Sequence, residues 1–133
     1  MKRHSQATVT ISMKNMIGTV PDSEKGRFHQ LNLEQCIADL NVAVRPRLVI
    51  IDATQAMTKT GPSGGVMVDL NILIASTDPV AADLVAAQEL FKAEGISDTR
   101  AAADNVSYIQ YAAKAGVGTA DPSKIEVLNL NVN

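Results

Sequence analysis

RLVIIDATQAMTKTGPSGGVMVDLNILIASTDP, residues Arg47 to Pro79, is the stretch whose reading decides the fold. Leu48 to Ile51 form a short continuous apolar run rich in branched side chains, the pattern of a strand covered on both faces, and Asp52 stands at its carboxyl end. A loop carrying Gly61, Pro62, Gly64 and Gly65 follows. Beyond it Val68, Leu70, Ile72 and Ile74 alternate with Asp69 and Asn71, so a second strand is expected to run to Ala75. Thr77 or Asp78 then caps a helix with Pro79 in its first turn, where the missing amide does no harm.

Working outward, ATVTISM alternates Val9, Ile11 and Met13 with hydroxyl side chains and predicts a first strand with one buried face. The polar, glycine- and proline-bearing stretch from Ser12 to Gln30 reads as an excursion from the core with a short helical turn. Asn32 and Gln35 form a cap and its partner ahead of Leu33, Cys36, Ile37, Leu40 and Val44, an amphipathic helix ended at Pro46. Val80, Leu84, Ala87 and Phe91 give the helix after Asp78 its core stripe, with Gly95 as its stop. A further helix is expected from Val106 to Ala115, with Val106, Ile109 and Ala113 inward, and KIEVLNL reads as a final strand. The expectation is a single α/β domain over residues 1–133, a mixed sheet of about four strands with three or four helices packed on it.

Composition narrows the function. With 133 residues the chain can build one core, and a net charge of -2 with 3% aromatics leaves neither a basic stripe nor stacking platforms, so nucleic acid is not an expected partner. Cys36 is the one cysteine, which rules out an internal disulfide and any iron-sulfur cluster built within the chain. No secretory signal opens the sequence and no run approaches the ~20 apolar residues of a membrane span, so a cytoplasmic, membrane-free setting is expected.

Ligands of open α/β sheets collect beyond the carboxyl ends of strands. If the Val68 strand runs parallel to the Arg47 to Asp52 strand, then Asp52, the glycine loop and the Ser76 to Asp78 helix start share one edge; antiparallel pairing divides them. The loop matches neither GxxxxGK[ST] nor GxGxxG, and on pattern alone it favours a plain connection over a phosphate cradle. Asp52 is sited to hold a metal or a donor group of a ligand, though acids that cap a loop are common. His29 on its own reads as a solvated histidine, and Lys14 and Asn15 as a polar strand end. Asp83 borders the apolar face of its helix and must find a hydrogen-bond partner there.

The linked segments SMKNMIGTVPDSEKGRFH, RLVIIDATQAMTKTGPSGG and IASTDPVAADLVAAQEL together resemble the domain of unknown function family 362, as does the later AAKAGVGTADPSKIEVL. The resembling positions are Lys14, Asn15, Gly18 and His29; Asp52, Gly61, Pro62 and Gly65; then Ser76, Asp78, Pro79, Ala81 and Asp83. The resemblance implies a shared pocket, and so turns the reading of the glycine loop toward ligand binding. In that pocket Lys14, Asn15, Gly61, Pro62, Gly64, Gly65, Ser76 and Asp78 would hold an anionic ligand, while His29 and Asp52 would act as acid and base or hold a divalent metal. The resemblance further implies a redox-associated family whose members are often longer and often carry ferredoxin-type cysteine clusters. This chain then looks like the C-terminal part, a truncated or minimal version. The competing expectation is a non-catalytic assembly module, docking on an iron-sulfur partner or on its own copy through the strand edge near Val9.

Overall fold

A computed structural model describes residues 1–131 of the protein. Strands β1 (Lys2–His4), β2 (Thr8–Thr10), β3 (Val49–Thr58) and β4 (Val66–Ser76) form one mixed sheet in the order β2-β1-β3-β4. The helices are α1 (Ser12–Asn15), α2 (Asp22–Phe28), α3 (Leu33–Val44), α4 (Pro79–Ala93), α5 (Thr99–Asp104) and α6 (Ser107–Lys114). The α/β class and mixed sheet are as expected; six helices exceed the three or four anticipated because α1, α2 and α5 are too short to show a periodic stripe.

The centre is the β3–β4 hairpin, paired antiparallel from Val49↔Ser76 to Thr58↔Val66. Strand β3 does not stop near Asp52 but continues to Thr58, which shortens the connection to residues 59–65. A return that short must be antiparallel, since a parallel neighbour requires a crossover of about a dozen residues. Opposite Thr54 the ladder slips by one residue in β4, where Asn71 takes a positive φ of 56°. Strand β1 joins β3 parallel at Lys2↔Met57, and β2 folds back antiparallel on β1.

Covering is one-sided, which corrects the expectation for Leu48 to Ile51. Val49, Ile51 and Ala53 are buried beneath the helices, while Leu48, Ile50 and the cross-strand Leu73 are 59%, 66% and 69% exposed. Helix α4 packs on β3 and β4 from the one side, and its expected stripe Val80, Leu84, Ala87 and Phe91 is buried. Asp78 caps it as the sequence predicts, its Oδ1 accepting from the Val80 and Ala81 amides at 2.9 Å each.

In α3 the Asn32 cap is formed, with Gln35 N–H donating to Oδ1 at 3.2 Å, but the buried stripe is rotated. Leu33, Ile37, Ala38 and Asn41 face inward, whereas Cys36 is half-buried and Val44 exposed. The rotation follows from Asn41, whose Nδ2 donates to the carbonyls of Met13 and Ile37 at 2.9 Å each. Helix α6 likewise buries Tyr108, Ile109 and Ala112 rather than Ala113. KIEVLNL is not a strand of the sheet. Ile125 to Asn131 form no regular element, and the chain enters them through a 3-10 turn at Pro122–Lys124.

ATVTISM is strand only to Thr10, because at Ser12 the chain is captured by a carboxylate. Asp83, fully buried on α4, accepts from Ser12 N–H at 3.0 Å, the Ser12 hydroxyl, Met13 N–H at 3.1 Å and the Tyr108 hydroxyl at 3.0 Å. The acid satisfies the free amides at the start of α1 from across the core, and so turns the backbone from strand to helix. Met13 is still buried, so the alternation of Val9, Ile11 and Met13 reports burial correctly and backbone geometry only in part.

Burial pushes the Asp83 carboxyl up to about 6, against the pull of its four donors. Burial and the adjacent carboxylate push the Tyr108 phenol well above its usual range, so it remains a donor. Asp83→Ala leaves the four donors of Ser12, Met13 and Tyr108 without their acceptor and should cost about 3–5 kcal/mol in urea unfolding, and Tyr108→Phe about 1–2 kcal/mol. Because the folded value lies above the unfolded 3.8, the folded chain holds the extra proton between them. That contribution to stability is full below pH 3.8 and lost as pH rises through about 6, a slope that Asp83→Asn should flatten.

Candidate functional site

Arg3 identifies which way β1 faces. Its guanidinium lies 5.1 Å from the centre of the Phe91 ring on α4 and its Nε is 3.5 Å from Glu94 at the end of that helix, so by strand alternation Lys2 and His4 point to the opposite face of the strand. Strand β1 enters the sheet only opposite Met57, leaving Val49 to Ala53 of β3 with no neighbour on that side in the ladder. The capture of Ser12 by Asp83 turns the chain away at the end of β2. Between these edges lies an open groove of about 310 Å³, walled by Lys2, Thr10, Asn15, Ile50 and Asp52. The hydroxyl of Thr10 is buried and has no hydrogen-bond partner among the described residues.

The charge beside this groove is positive. Burial and then the neighbouring Lys2 hold the Lys14 ammonium below the usual lysine range. Burial, followed by Lys14, His29 and Lys2, pushes His4 down to about 4, so its ring is neutral near pH 7. As a neutral ring it accepts at Nδ1 from the amides of Gln6 and Ala7, at 3.1 Å each, and so shapes the β1–β2 turn. His29 stacks on it with ring centres 6.0 Å apart, and its Nδ1 lies 2.8 Å from the Gln6 side-chain oxygen.

The expected site residues are divided. Asp52 and Asn15 line the groove, with Lys14 adjoining Asn15 at the end of α1. Asp52 is exposed in the middle of β3 rather than at its end; its Oδ1 accepts from the Thr54 amide at 2.9 Å and hydroxyl at 2.7 Å. His29 is not beside it. The Met1 nitrogen donates to the Asp52 carbonyl at 3.2 Å, and from Met1 to His4, on which His29 stacks, the strand advances roughly 10 Å. Among the described residues no three His, Cys, Asp or Glu side chains form a group that could hold a metal.

The glycine loop lies at the far end of the hairpin, where the Thr60 amide donates to the Thr58 carbonyl at 2.8 Å. A Cβ on Gly61 would stand 1.8 Å from the Arg3 carbonyl oxygen, and one on Gly65 2.4 Å from that of Thr58. Lys59 donates its amide to Glu94 Oε1 at 2.7 Å, tying the loop to the end of α4. Gly61, Pro62, Gly64 and Gly65 thus connect and pack the hairpin. Ser76 and Asp78 are at the opposite end, where Ser76 Oγ accepts from the Asp78 amide at 3.0 Å and Asp78 Oδ2 from the Thr119 amide at 2.8 Å. The antiparallel ladder is what separates these pieces. Sequence reasoning passed over Lys2, His4 and Thr10, because three-residue strands carry too little periodicity to be read.

A two-layer α/β domain with a basic corner on its open sheet face is the class these features define. The family model described as "Domain of unknown function (DUF362)" matches residues 1–88, and the chain belongs to that family. It is 27% identical over 135 residues to a thylakoid-associated protein of Synechocystis sp., across 97% of this chain and 42% of that protein. The chain therefore spans less than half the length of that curated relative. No solved structure matches it. No helix among the described residues is long and apolar enough to cross a membrane.

The packing argument for the loop predicts a contrast. Gly61→Ala forces the loop off the Arg3 backbone and should lower stability by about 1–3 kcal/mol. Gly64, at φ +77° with open space around it, should cost only about 1 kcal/mol as Gly64→Ala, the conformational part alone. Urea midpoints of the two variants measure the difference.

Proposed function

We propose that this domain binds a small molecule carrying an anionic group, of phosphate or carboxylate type, together with a hydroxyl or ammonium donor. The observation that carries the reading is the groove walled by Lys2, Thr10, Asn15 and Asp52, next to which stands the half-buried Lys14, its ammonium held below the usual lysine range by burial and by Lys2. Neither lysine forms an ion pair among the described residues. An ammonium in that position is stabilised by any anion that replaces its lost hydration. Asn15 offers an amide donor beside it, and the free oxygen of Asp52 across the groove suits the ligand's own donor.

This keeps Lys14, Asn15 and Asp52 from the pocket expected on the sequence and adds Lys2. The glycine loop, Ser76 and Asp78 act in the hairpin and the helix start, and His29 supports the turn around Gln6. The enzymatic, oxidoreductase-type role and an iron-sulfur partner rest on the family resemblance alone, as does correspondence to the C-terminal part of longer relatives.

Calorimetric titration with inorganic phosphate and glycerol phosphate tests the reading. Lys14→Met should weaken both by at least about tenfold, or about 1.4 kcal/mol. Asp52→Asn should weaken glycerol phosphate and spare phosphate. Affinity should fall as pH rises through the depressed range of Lys14, because the neutral amine no longer attracts the anion. Equal affinity of native protein and Lys14→Met, or no heat with either compound, would overturn it.

A further inference from the structure

Two surfaces of this chain are left unfinished at the same end of the molecule. One is the outer edge of β4, the last strand of the sheet, with no strand beyond it among the described residues. Protein edges are commonly defended by lysine, proline or a bulge. β4 contains no lysine, arginine or proline, and its one charge, Asp69, is engaged by the Gln55 side chain at 2.9 Å. Its slip near Asn71 divides the edge, so that Ile72 to Ser76 form a separate stretch after the irregularity. This stretch borders the bare apolar patch of Leu48, Ile50 and Leu73.

The other surface is the segment Ile125 to Leu130. Its sequence, IEVLNL, has the composition of a strand and a single charge, Glu126. Ile125 already has extended backbone angles (φ -107°, ψ 114°), yet the segment belongs to no ladder. Val127, Leu128 and Leu130 are 53%, 77% and 86% exposed. The root of this segment is fixed at the β4 end of the sheet. Thr119 donates to Asp78, just beyond Ser76; Arg100 Nη2 donates to the Ala120 carbonyl at 2.8 Å; and Asp121 caps the turn that follows.

We propose that residues Ile125 to Leu130 of one chain add as a strand to the Ile72 to Ser76 edge of a second copy, and the reverse, in a two-fold dimer. Each chain supplies an unpaired strand and, in Ile72 to Ser76, an unpaired edge at the same end, so a two-fold axis satisfies both. Backbone hydrogen bonds supply the register-independent part of such an addition, and alternate side chains the specific part. IEVLNL has apolar residues on both of its faces: Ile125 and Val127 on one, Leu128 and Leu130 on the other. That is what a strand needs when one of its faces continues the helix-covered side of the sheet and the other the bare patch.

Sedimentation velocity of the full chain should give twice the monomer mass, with truncation after Lys124 and, independently, Leu73→Lys each raising the dissociation constant at least tenfold. Leu73 is exposed, so its variant should keep the native circular dichroism and melting, which separates lost pairing from lost folding. In a Cys36→Ser background, Ala75→Cys with Asn129→Cys should form a disulfide between chains. A monomer at all concentrations, a dimer that survives truncation, or a disulfide formed within one chain would each overturn the proposal.

Discussion

The carboxylate of Asp83 is the interaction on which the rest of the architecture depends. From the middle of α4 it holds the first amides of α1 and the phenol of α6, three elements far apart in sequence, at a point without solvent. Met13, one of the residues it grips, is held from the other side by Asn41 of α3. A charge in that position would be costly alone, and four donors converge on it. The consequence reaches the surface. By stopping β2 at Thr10 and starting a helix at Ser12, the acid opens the space between α1 and β3 that becomes the groove.

The second constraint is the short return between β3 and β4. It makes the hairpin antiparallel, sends the glycine loop to one end and the Ser76 to Asp78 corner to the other, and places Asp52 in the body of a strand. A site gathered on a common strand edge is incompatible with that geometry. What remains is a groove on a sheet face, made where β1 falls short of the first half of β3. Its positive character comes from Lys2 and Lys14, neither of which has a carboxylate partner among the described residues, whereas the arginine of the same strand is turned inward to Phe91 and Glu94.

One-sided covering unites the remaining features. Helix α4 packs on β3 and β4 from one side, with α3 and α6 packed on each other, while Leu48, Ile50 and Leu73 stay exposed. Apolar residues on a bare face beside an unpaired edge are a surface feature of the kind that associates. The polar members of the same face, Asp52, Thr54, Gln55 and Asp69, are paired among themselves, Asp52 with Thr54 and Gln55 with Asp69.

Local chemistry by itself determined the helices with strong caps and the strands with strong alternation. Asn32 before α3, Asp78 and Pro79 before α4, and the alternation through Val68 and Ile74 are written in neighbouring residues, and they formed as read. The burial of Asp83 was legible in the same way, as an acid on an apolar stripe. Its partners were not, since Ser12 and Tyr108 are distant in the chain. Where β3 ends, which face of the sheet is covered, and which of Lys14, Asn15, His29 and Asp52 meet were decided only in three dimensions. Each depends on pairing between segments remote in sequence, and a local pattern carries no information about which partner a strand edge or a charge will find.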